Sequence, residues 1–128
     1  MAVLKQNAIL MTAEEFAGPD VPEKWVELIE GELVQMTPAG RAHNQIGENI
    51  FVILRGFAKS QSGLKAFCAS DGFCVRRNPD TVLSPDAGLF TMRPNTGSTW
   101  LEFAPELVVE VLSPSNTRAE MAYKRQCL

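Results

Sequence analysis

The chain has 128 residues, of which 45% are apolar and 21% are charged, and its formal net charge is −3. This balance is typical of a globular protein and argues against a disordered chain. The length predicts one small domain, residues 1–128, with a single core. No apolar run reaches the roughly 20 residues that a membrane span needs, so we expect no membrane partner.

The cysteines and the amino-terminal residues indicate a cytoplasmic protein. Cys68, Cys74 and Cys127 are odd in number and form no CxxC pair, which favours reduced thiols. The first residues lack the charged and then apolar pattern of a secretory leader. A lone His43 beside scattered cysteines argues against a structural zinc site.

Charge is distributed unevenly along the chain. Residues 1–40 carry seven acids and two bases, a net of −5, whereas residues 41–128 carry eight acids and ten bases, a net of +2. A polyanion such as nucleic acid would therefore meet a more favourable surface on the second part of the chain.

The first predicted elements are a short capped helix and a β-hairpin. Thr12 can cap the helix, because Glu15 stands three residues later and completes a capping box. Residues 25–36 predict two short strands with a tight turn at Glu30 and Gly31, since glycine adopts the positive φ that such turns often need. Residues 37–40 predict a loop.

A long amphipathic helix is predicted over residues 42–60. Its apolar residues recur at three- and four-residue steps, which is the helical period: Ile46, Ile50, Ile53, Leu54 and Phe57. Strands follow at 65–68 and 73–76, and then a turn at 78–80. One strand is predicted over 81–90, with Pro85 and Asp86 inside it, followed by a loop at 92–99.

The most informative stretch is the apolar run 107–112, which predicts a buried strand. Glu110 stands in the middle of this run. A carboxylate in an apolar strand is costly unless a metal, a cation or hydrogen bonds compensate it. A last helix is predicted from Thr117, with Glu120 completing a second capping box.

Asp86, Glu110 and Lys124 are the candidate site residues. Carboxylates at adjacent strand ends can hold Mg²⁺, which prefers oxygen ligands and keeps several waters. The metal would lower the pKa of a bound water and clamp a phosphate oxygen. A nearby lysine can orient that water or offset developing charge. This set of residues predicts cleavage of a phosphodiester bond.

Each candidate also has an ordinary structural explanation. Aspartate after proline is common in turns, which would account for Asp86. Lys124 stands four residues after Glu120 and can form a helix-surface ion pair with it. Glu110 can be held by a structural salt bridge, for example to Arg118.

The order of the motifs resembles that of a known family. The hairpin at 25–34, His43, the Pro85 and Asp86 pair, the stretch 105–116 and Lys124 follow one another as in the Uma-type candidate restriction endonucleases. That family belongs to the PD-(D/E)XK nuclease superfamily. The resemblance covers nearly all of the chain from Thr12 onward and is most specific at 107–116.

The resemblance implies an α/β (α+β) fold with a restriction-endonuclease-like mixed sheet flanked by helices. It implies that Asp86 and Glu110 bind Mg²⁺, with Mn²⁺ as a substitute. The superfamily's usual lysine position is occupied by Leu112, and the resemblance instead assigns that role to Lys124 on the next helix.

Two further residues, Glu27 and His43, match family positions without an assigned role. Glu27 can be a structural residue or a third acid of the site. A histidine near the start of a helix, such as His43, is more often a capping or packing residue.

The resemblance implies a metal-dependent endonuclease that acts on nucleic acid, with DNA as the expected substrate. Family members continue past the last helix with further strands, so the fold implied here is truncated. The alternatives are an inactive nuclease-like domain that acts in binding or dimerisation, and a small domain whose acids are merely salt-bridged. An open sheet edge predicts a homo-oligomer, with residues 116–128 at the interface through Met121, Cys127 and Leu128.

Overall fold

The computed structural model describes residues 2–4, 9–21, 26–35, 40–94 and 96–128. The predicted strand ends at Trp25 and Met36 and the predicted loop at 37–39 lie outside this part. The elements in chain order are β1 (Ala2–Leu4), α1 (Ala13–Phe16), β2 (Val26–Ile29), β3 (Glu32–Gln35), α2 (Arg41–Lys59), β4 (Leu64–Cys68), β5 (Phe73–Arg76), β6 (Thr81–Leu83), β7 (Ala87–Thr91), β8 (Leu107–Val109) and α3 (Arg118–Cys127). No helix in the described part is long and apolar enough to cross a membrane.

The first sheet has five strands in the order β1-β3-β2-β6-β5, with antiparallel ladders throughout. The predicted hairpin forms its centre and turns at Glu30 and Gly31, where φ is 49° and 79°. Gly31 is required here, because a Cβ would also lie 2.7 Å from the Leu10 Cβ. β2 is therefore a central strand, with β3 on one side and β6 on the other.

The second sheet has three strands in the order β4-β7-β8, again antiparallel. An isolated parallel bridge joins Phe73 of β5 to Leu101. Helices pack beside these sheets, so the predicted α+β class is confirmed.

The single strand predicted over 81–90 is wrong, because the chain leaves one sheet and enters the other at residues 84–86. β6 belongs to the first sheet and β7 to the second. Pro85 has no N–H to donate to a ladder, and the Ser84 N–H donates to the Glu27 carboxylate at 2.8 Å instead of to a neighbouring strand. These residues form a connector that carries Asp86 to the start of β7.

The buried strand predicted over 107–112 is shorter and more exposed than expected. β8 ends at Val109, so Glu110 follows the strand rather than lying within it. Leu107 is 42% exposed and Leu112 is 68% exposed. Within the described part of the chain, β8 pairs only with β7, so it is an edge strand of its sheet.

Local signals predicted the helix starts correctly. Thr12 accepts a hydrogen bond from the Glu15 N–H at 3.1 Å, and Thr117 accepts one from the Glu120 N–H at 3.1 Å. Both capping boxes are complete, with the glutamate side chain facing the backbone N–H of the capping threonine. These caps fix where α1 and α3 begin.

Helix α2 forms as predicted, but much of its apolar face is not buried. It packs on β4 and β7, and Ala58 is its one buried residue. Ile46, Ile53 and Phe57 are 47%, 71% and 52% exposed. The three-stranded sheet covers only part of the helix, which leaves an apolar stripe open among the described residues.

Two clusters of buried side chains form the core. One joins α1 to the first sheet through Ala13, Phe16, Leu28, Leu33, Cys74 and Val82. The other joins the two sheets through Phe67 of β4, Phe73 of β5 and Phe90 of β7. The ring centroids of Phe67 and Phe73 are 4.7 Å apart, so aromatic packing fixes one sheet against the other.

Candidate active site

The ladder between β7 and β8 brings Asp86 and Glu110 together. Its register pairs Ala87 with Val109, and one further step along the same register places Asp86 opposite Glu110. Directly opposite residues on antiparallel strands have Cβ atoms about 4.5–5.5 Å apart. The Asp86 carboxylate is near enough to raise the pKa of Glu110.

The Asp86 carboxylate contacts the backbone that follows β8 and a side chain of helix α2. Its Oδ2 accepts a hydrogen bond from the Val111 N–H at 2.7 Å. His43 Nε2 lies 3.4 Å from the same oxygen, and both side chains are 17% exposed. The backbone bond extends the contact between β7 and β8 past Val109, and it therefore fixes the Asp86 carboxyl beside Glu110.

His43 faces Asp86 from the first turn of α2. It does not cap the helix, because the N-cap is Gly40, which has no side-chain cap. Its Nδ1 is buried and has no hydrogen-bond partner among the described residues. The capping role considered for His43 is therefore wrong, and its contact is with the candidate site.

Glu110 is the carboxyl group most affected by its surroundings. Burial raises its pKa, Lys124 lowers it, and the neighbouring Asp86 and Glu27 carboxylates raise it again, to about 8. Its Oε1 is buried without a hydrogen-bond partner among the described residues. Two close carboxyl groups repel each other when both are ionised, so a cation would relieve the repulsion at this position.

Lys124 enters the site from α3 and is almost completely buried, with 3% of its side chain exposed. Its Nζ lies 2.9 Å from Glu27 Oε1, 3.7 Å from Glu110 Oε1 and 3.9 Å from Glu120 Oε1. Burial alone would lower its pKa, but Glu27, Glu110 and Glu120 hold that pKa above its ordinary value. Lys124 is therefore a buried ammonium ion.

The sequence also allowed two purely structural ion pairs, one between Lys124 and Glu120 and one between Glu110 and Arg118. The ion pair between Lys124 and Glu120 exists, but it is the longest of the three and is not on the surface. The base that faces Glu110 is Lys124 rather than Arg118. The sequence could not rank these partners, because the contacts depend on how the fold brings Lys124 of α3 to Glu27 of β2 and to Glu110.

The turn before α3 is connected to the same group of charges. Asn116 Oδ1 accepts a hydrogen bond from the Ser113 N–H at 2.7 Å, and its amide donates to Glu120 Oε1 at 3.2 Å. The turn therefore fixes the Glu120 carboxylate, which in turn faces Lys124.

The site has an inner and an outer part. The side chains of Glu27, Lys124 and Glu120 are 2–4% exposed, whereas those of His43, Asp86 and Glu110 are 17–18% exposed. A ligand from solvent would therefore reach the outer part first. Four carboxyl groups stand against one ammonium ion in this cluster, which makes it favourable for a cation.

The donor set suits a hard cation such as Mg²⁺. Asp86 and Glu110 offer carboxylate oxygens, and one of these, Glu110 Oε1, is buried without a hydrogen bond. In the described part of the chain, no group of three or more His, Cys, Asp and Glu side chains is arranged to hold a metal ion. A cation here would thus have two protein ligands and several waters, which Mg²⁺ accepts.

Glu27, like His43, is a site residue that matched a family position without an assigned role. It stands on β2 between apolar neighbours and is 3% exposed. The signal that could have identified it is the one that identified Glu110, an acid among strand-forming apolar residues. Its place in the site depends on α3 lying against β2, which local sequence does not reveal.

Comparisons with known proteins bear on the family and the fold of the chain. The model of the Uma2 family, described as "Putative restriction endonuclease", matches residues 13–127. A solved structure with a similar fold is described as "a putative nuclease belonging to DUF820 from Anabaena variabilis ATCC 29413". It matches with a TM-score of 0.67 and 21% sequence identity, over 80% of this chain and 59% of that one. None of the curated proteins compared with the chain matches it.

Proposed function

Because the chain belongs to the Uma2 family of restriction-endonuclease-like proteins, we propose that it is a Mg²⁺-dependent endonuclease that hydrolyses phosphodiester bonds in DNA. The observation that carries the proposal is the meeting of Asp86, Glu110 and Lys124 at the end of the β7–β8 ladder. The chain spans 59% of the length of the solved nuclease-like chain. Because of this partial coverage, the activity of the whole protein is also part of the proposal.

Asp86 and Glu110 would hold the metal ion, with Mn²⁺ as a substitute for Mg²⁺. The bound metal would supply a water of lowered pKa and a Lewis acid for a phosphate oxygen. The Val111 N–H orients Asp86, so the position of the carboxylate is set before any ligand binds. His43 Nε2 lies 3.4 Å from the same carboxylate oxygen.

Lys124 would stabilise the negative charge that develops as the phosphodiester bond breaks. Its ammonium ion is buried and lies 3.7 Å from Glu110 Oε1, and electrostatic interactions are stronger where water is excluded. The neighbouring carboxylates keep its pKa raised, so it would remain charged at neutral pH. Lys124 would therefore act as a fixed positive charge rather than as a base.

DNA is the proposed partner, and the cytoplasm is the proposed location. The surplus of two positive charges over residues 41–128 gives a polyanion a more favourable surface there than the chain as a whole would offer. We also include a homo-oligomer in this proposal, since Ile46, Ile53 and Phe57 leave apolar surface open on α2, and such surfaces mark interaction sites.

Cleavage of a labelled DNA duplex and of a supercoiled plasmid tests the proposal. We expect cleavage with Mg²⁺ or Mn²⁺ and none with EDTA. Asp86→Asn and Glu110→Gln should each remove activity, and Lys124→Met should lower kcat about 10²-fold, the usual loss of one stabilising charge. Glu48→Gln and Lys59→Met on the exposed side of α2 are matched controls and should leave cleavage unchanged.

A second candidate function is binding or dimerisation by an inactive nuclease-like domain. The open apolar stripe of α2 favours it. Under this candidate, folded and purified protein cleaves neither DNA nor RNA with any divalent ion, and Asp86→Asn leaves partner binding unchanged. Cleavage that Asp86→Asn removes would exclude it.

A further inference from the structure

The buried carboxylate of Glu27 makes two contacts to two separate parts of the site. Its Oε1 lies 2.9 Å from Lys124 Nζ on α3. Its Oε2 accepts a hydrogen bond from the Ser84 N–H at 2.8 Å. Ser84 opens the connector that ends at Asp86. One side chain therefore joins β2, the helix that carries Lys124 and the segment that carries Asp86.

We propose that Glu27 is a positioning residue, which holds the Lys124 ammonium ion in place relative to Asp86 and Glu110. This inference rests on the proposed nuclease function for its consequence in catalysis. Glu27 acts through Lys124 and the connector, and it does not contact the substrate or the metal.

Burial distinguishes this role from that of a third metal ligand. The Glu27 side chain is 4% exposed, whereas those of Asp86 and Glu110 are 17% and 18% exposed. Glu27 thus lies on the inner side of the site, paired with Lys124, while the two proposed ligands lie on the outer side. A cation from solvent would meet Asp86 and Glu110 first.

The position of Glu27 in the fold makes it a firm anchor. β2 is paired on both sides, with β3 through Glu27 and Val34 and with β6 through Leu28 and Val82. Lys124, in contrast, is on α3, a helix of ten residues. A long lysine side chain has several rotamers, so the fixed carboxylate restricts which of them Lys124 adopts.

Replacing Glu27 with glutamine tests its contact with Lys124 separately from its contact with the Ser84 N–H. The amide oxygen can still accept from the Ser84 N–H, but the NH₂ group that then faces Lys124 is a donor, as is the ammonium ion. Lys124 would lose its nearest negatively charged partner, at 2.9 Å, while the side chain at position 27 keeps its size. Glu27→Gln is therefore a close to isosteric test of the ion pair.

The first measurement is the reactivity of the Lys124 amine in the metal-free, full chain. Acylation by an amine-reactive acetyl ester, followed by mass spectrometry, reports how often Nζ is accessible. We expect Lys124 to react about tenfold or more faster in Glu27→Gln than in the wild type, because release of a buried side chain raises its accessibility. Unchanged protection of Lys124 would overturn the proposal.

The second measurement is the rate of DNA cleavage. We expect Glu27→Gln to lower kcat as far as Lys124→Met does, with KM changed less than about twofold. The double variant should have the same kcat as Lys124→Met alone, because the effects of residues that act as one unit are not additive. A further loss of kcat in the double variant would contradict action through Lys124.

Two controls separate positioning from metal binding and from general stability. Titration with Mn²⁺, followed by electron paramagnetic resonance, should give the same affinity for Glu27→Gln and the wild type; a loss as large as that of Glu110→Gln would make Glu27 a ligand. Asp80→Asn removes a buried acid outside the site, which accepts from the Ala13 N–H, and should lower stability with little change in kcat. An equal loss of kcat in both variants would mean a merely structural role.

The outcomes distinguish this inference from the proposed function. If the wild type cleaves no nucleic acid, the proposed function fails, and the acylation rates alone decide whether Glu27 holds Lys124. If Glu27→Gln does not fold by circular dichroism, Glu27→Asp replaces it. That variant keeps the charge but is one methylene shorter, so faster acylation of Lys124 is expected, and unchanged acylation would overturn the inference.

Discussion

Glu110 is the residue on which the metal proposal depends most directly. We predict that Mg²⁺ and Mn²⁺ raise the melting temperature more than Zn²⁺ does, because the proposed ligands are oxygens and a ligand of the native state stabilises it by mass action. Glu110→Gln should remove this shift, as measured by thermal unfolding with each ion. Glu48→Gln should keep it. A shift that survives in Glu110→Gln would mean that Glu110 does not bind the ion.

Asp80 determines a second property at the residue scale, the acid stability of the chain. It is 7% exposed and accepts from the Ala13 N–H at 2.7 Å and from Arg77 at 3.0 Å. Burial alone would raise its pKa, but bonds from the Ala13 and Asn78 backbone and from Arg77 hold that pKa below its ordinary value. The carboxylate is thus favoured in the folded state.

The sign of the effect follows from this lowered pKa. Asp80 contributes stability above the ordinary pKa of about 4, and this contribution is lost as the pH falls through the lower folded pKa. We predict that Asp80→Asn lowers the free energy of unfolding by about 1–3 kcal/mol at pH 7. The variant should also lose less stability than the wild type on acidification below pH 4, as measured by urea unfolding. An equal acid dependence in both proteins would contradict the assignment.

What the sequence reveals about single residues depends on how local their signals are. Glu110 was identified because an acid among apolar strand residues is unusual, and the same criterion applies to Glu27. The partners of these acids were not predictable, since Lys124 is 97 positions away from Glu27 in the sequence and meets it only when α3 packs on β2. The His43 contact with Asp86 is equally dependent on tertiary packing.

At the scale of elements, β7 needs a glycine at position 88. A Cβ built there would lie 2.0 Å from the Leu107 carbonyl oxygen of β8 and 2.5 Å from Phe67 Cζ of β4. We predict that Gly88→Ala costs about 1–3 kcal/mol or more, because a packed strand must move to admit the methyl group. The movement should also separate Asp86 from Glu110 and weaken Mn²⁺ binding.

Gly56 of α2 provides the matched control for this change. A Cβ at Gly56 meets nothing within 4 Å, so Gly56→Ala should stabilise the chain by about 0.5–1 kcal/mol through helix propensity. Urea unfolding of both variants checks the pair. Similar effects of the two substitutions would contradict the tight approach of β8 to Gly88.

The elements themselves were predicted well where the signal is local and less well where it is not. Both capping boxes and the turn at Glu30 and Gly31 depend on a few neighbouring residues, and all of them form as predicted. The split of the 81–90 strand depends on which sheet each half joins. Pro85 weakens the strand, but the change of sheet is visible only in the tertiary pairing, which puts β6 in the first sheet and β7 in the second.

At the scale of the whole molecule, we predict that the chain is a homodimer or a larger homo-oligomer. The earlier expectation placed residues 116–128 at the interface, but Cys127 of that segment is buried within the chain. The larger exposed apolar surface among the described residues lies on α2, at Ile46, Ile53 and Phe57. Contact between two such surfaces would remove them from water.

Light scattering at micromolar concentration measures this directly. We expect a mass of at least about twice the 14.1 kDa of one chain, as in a symmetric dimer, and a shift towards the monomer in Ile53→Glu. Arg125→Glu, on an exposed position of α3, would shift the mass instead if residues 116–128 form the interface. A monomer of 14.1 kDa in the wild type would exclude both interfaces.

The register that sets Asp86 opposite Glu110 also determines where the chain can tolerate a change in length. Side chains alternate between the two faces of a strand, so one residue inserted between Asp86 and Ala87 would turn the carboxylate away from Glu110. An insertion between Thr91 and Trp100 leaves the pairing of Ala87 with Val109 intact. Natural variants and engineered libraries of this protein should therefore differ in length within that loop and keep the spacing around the two acids constant.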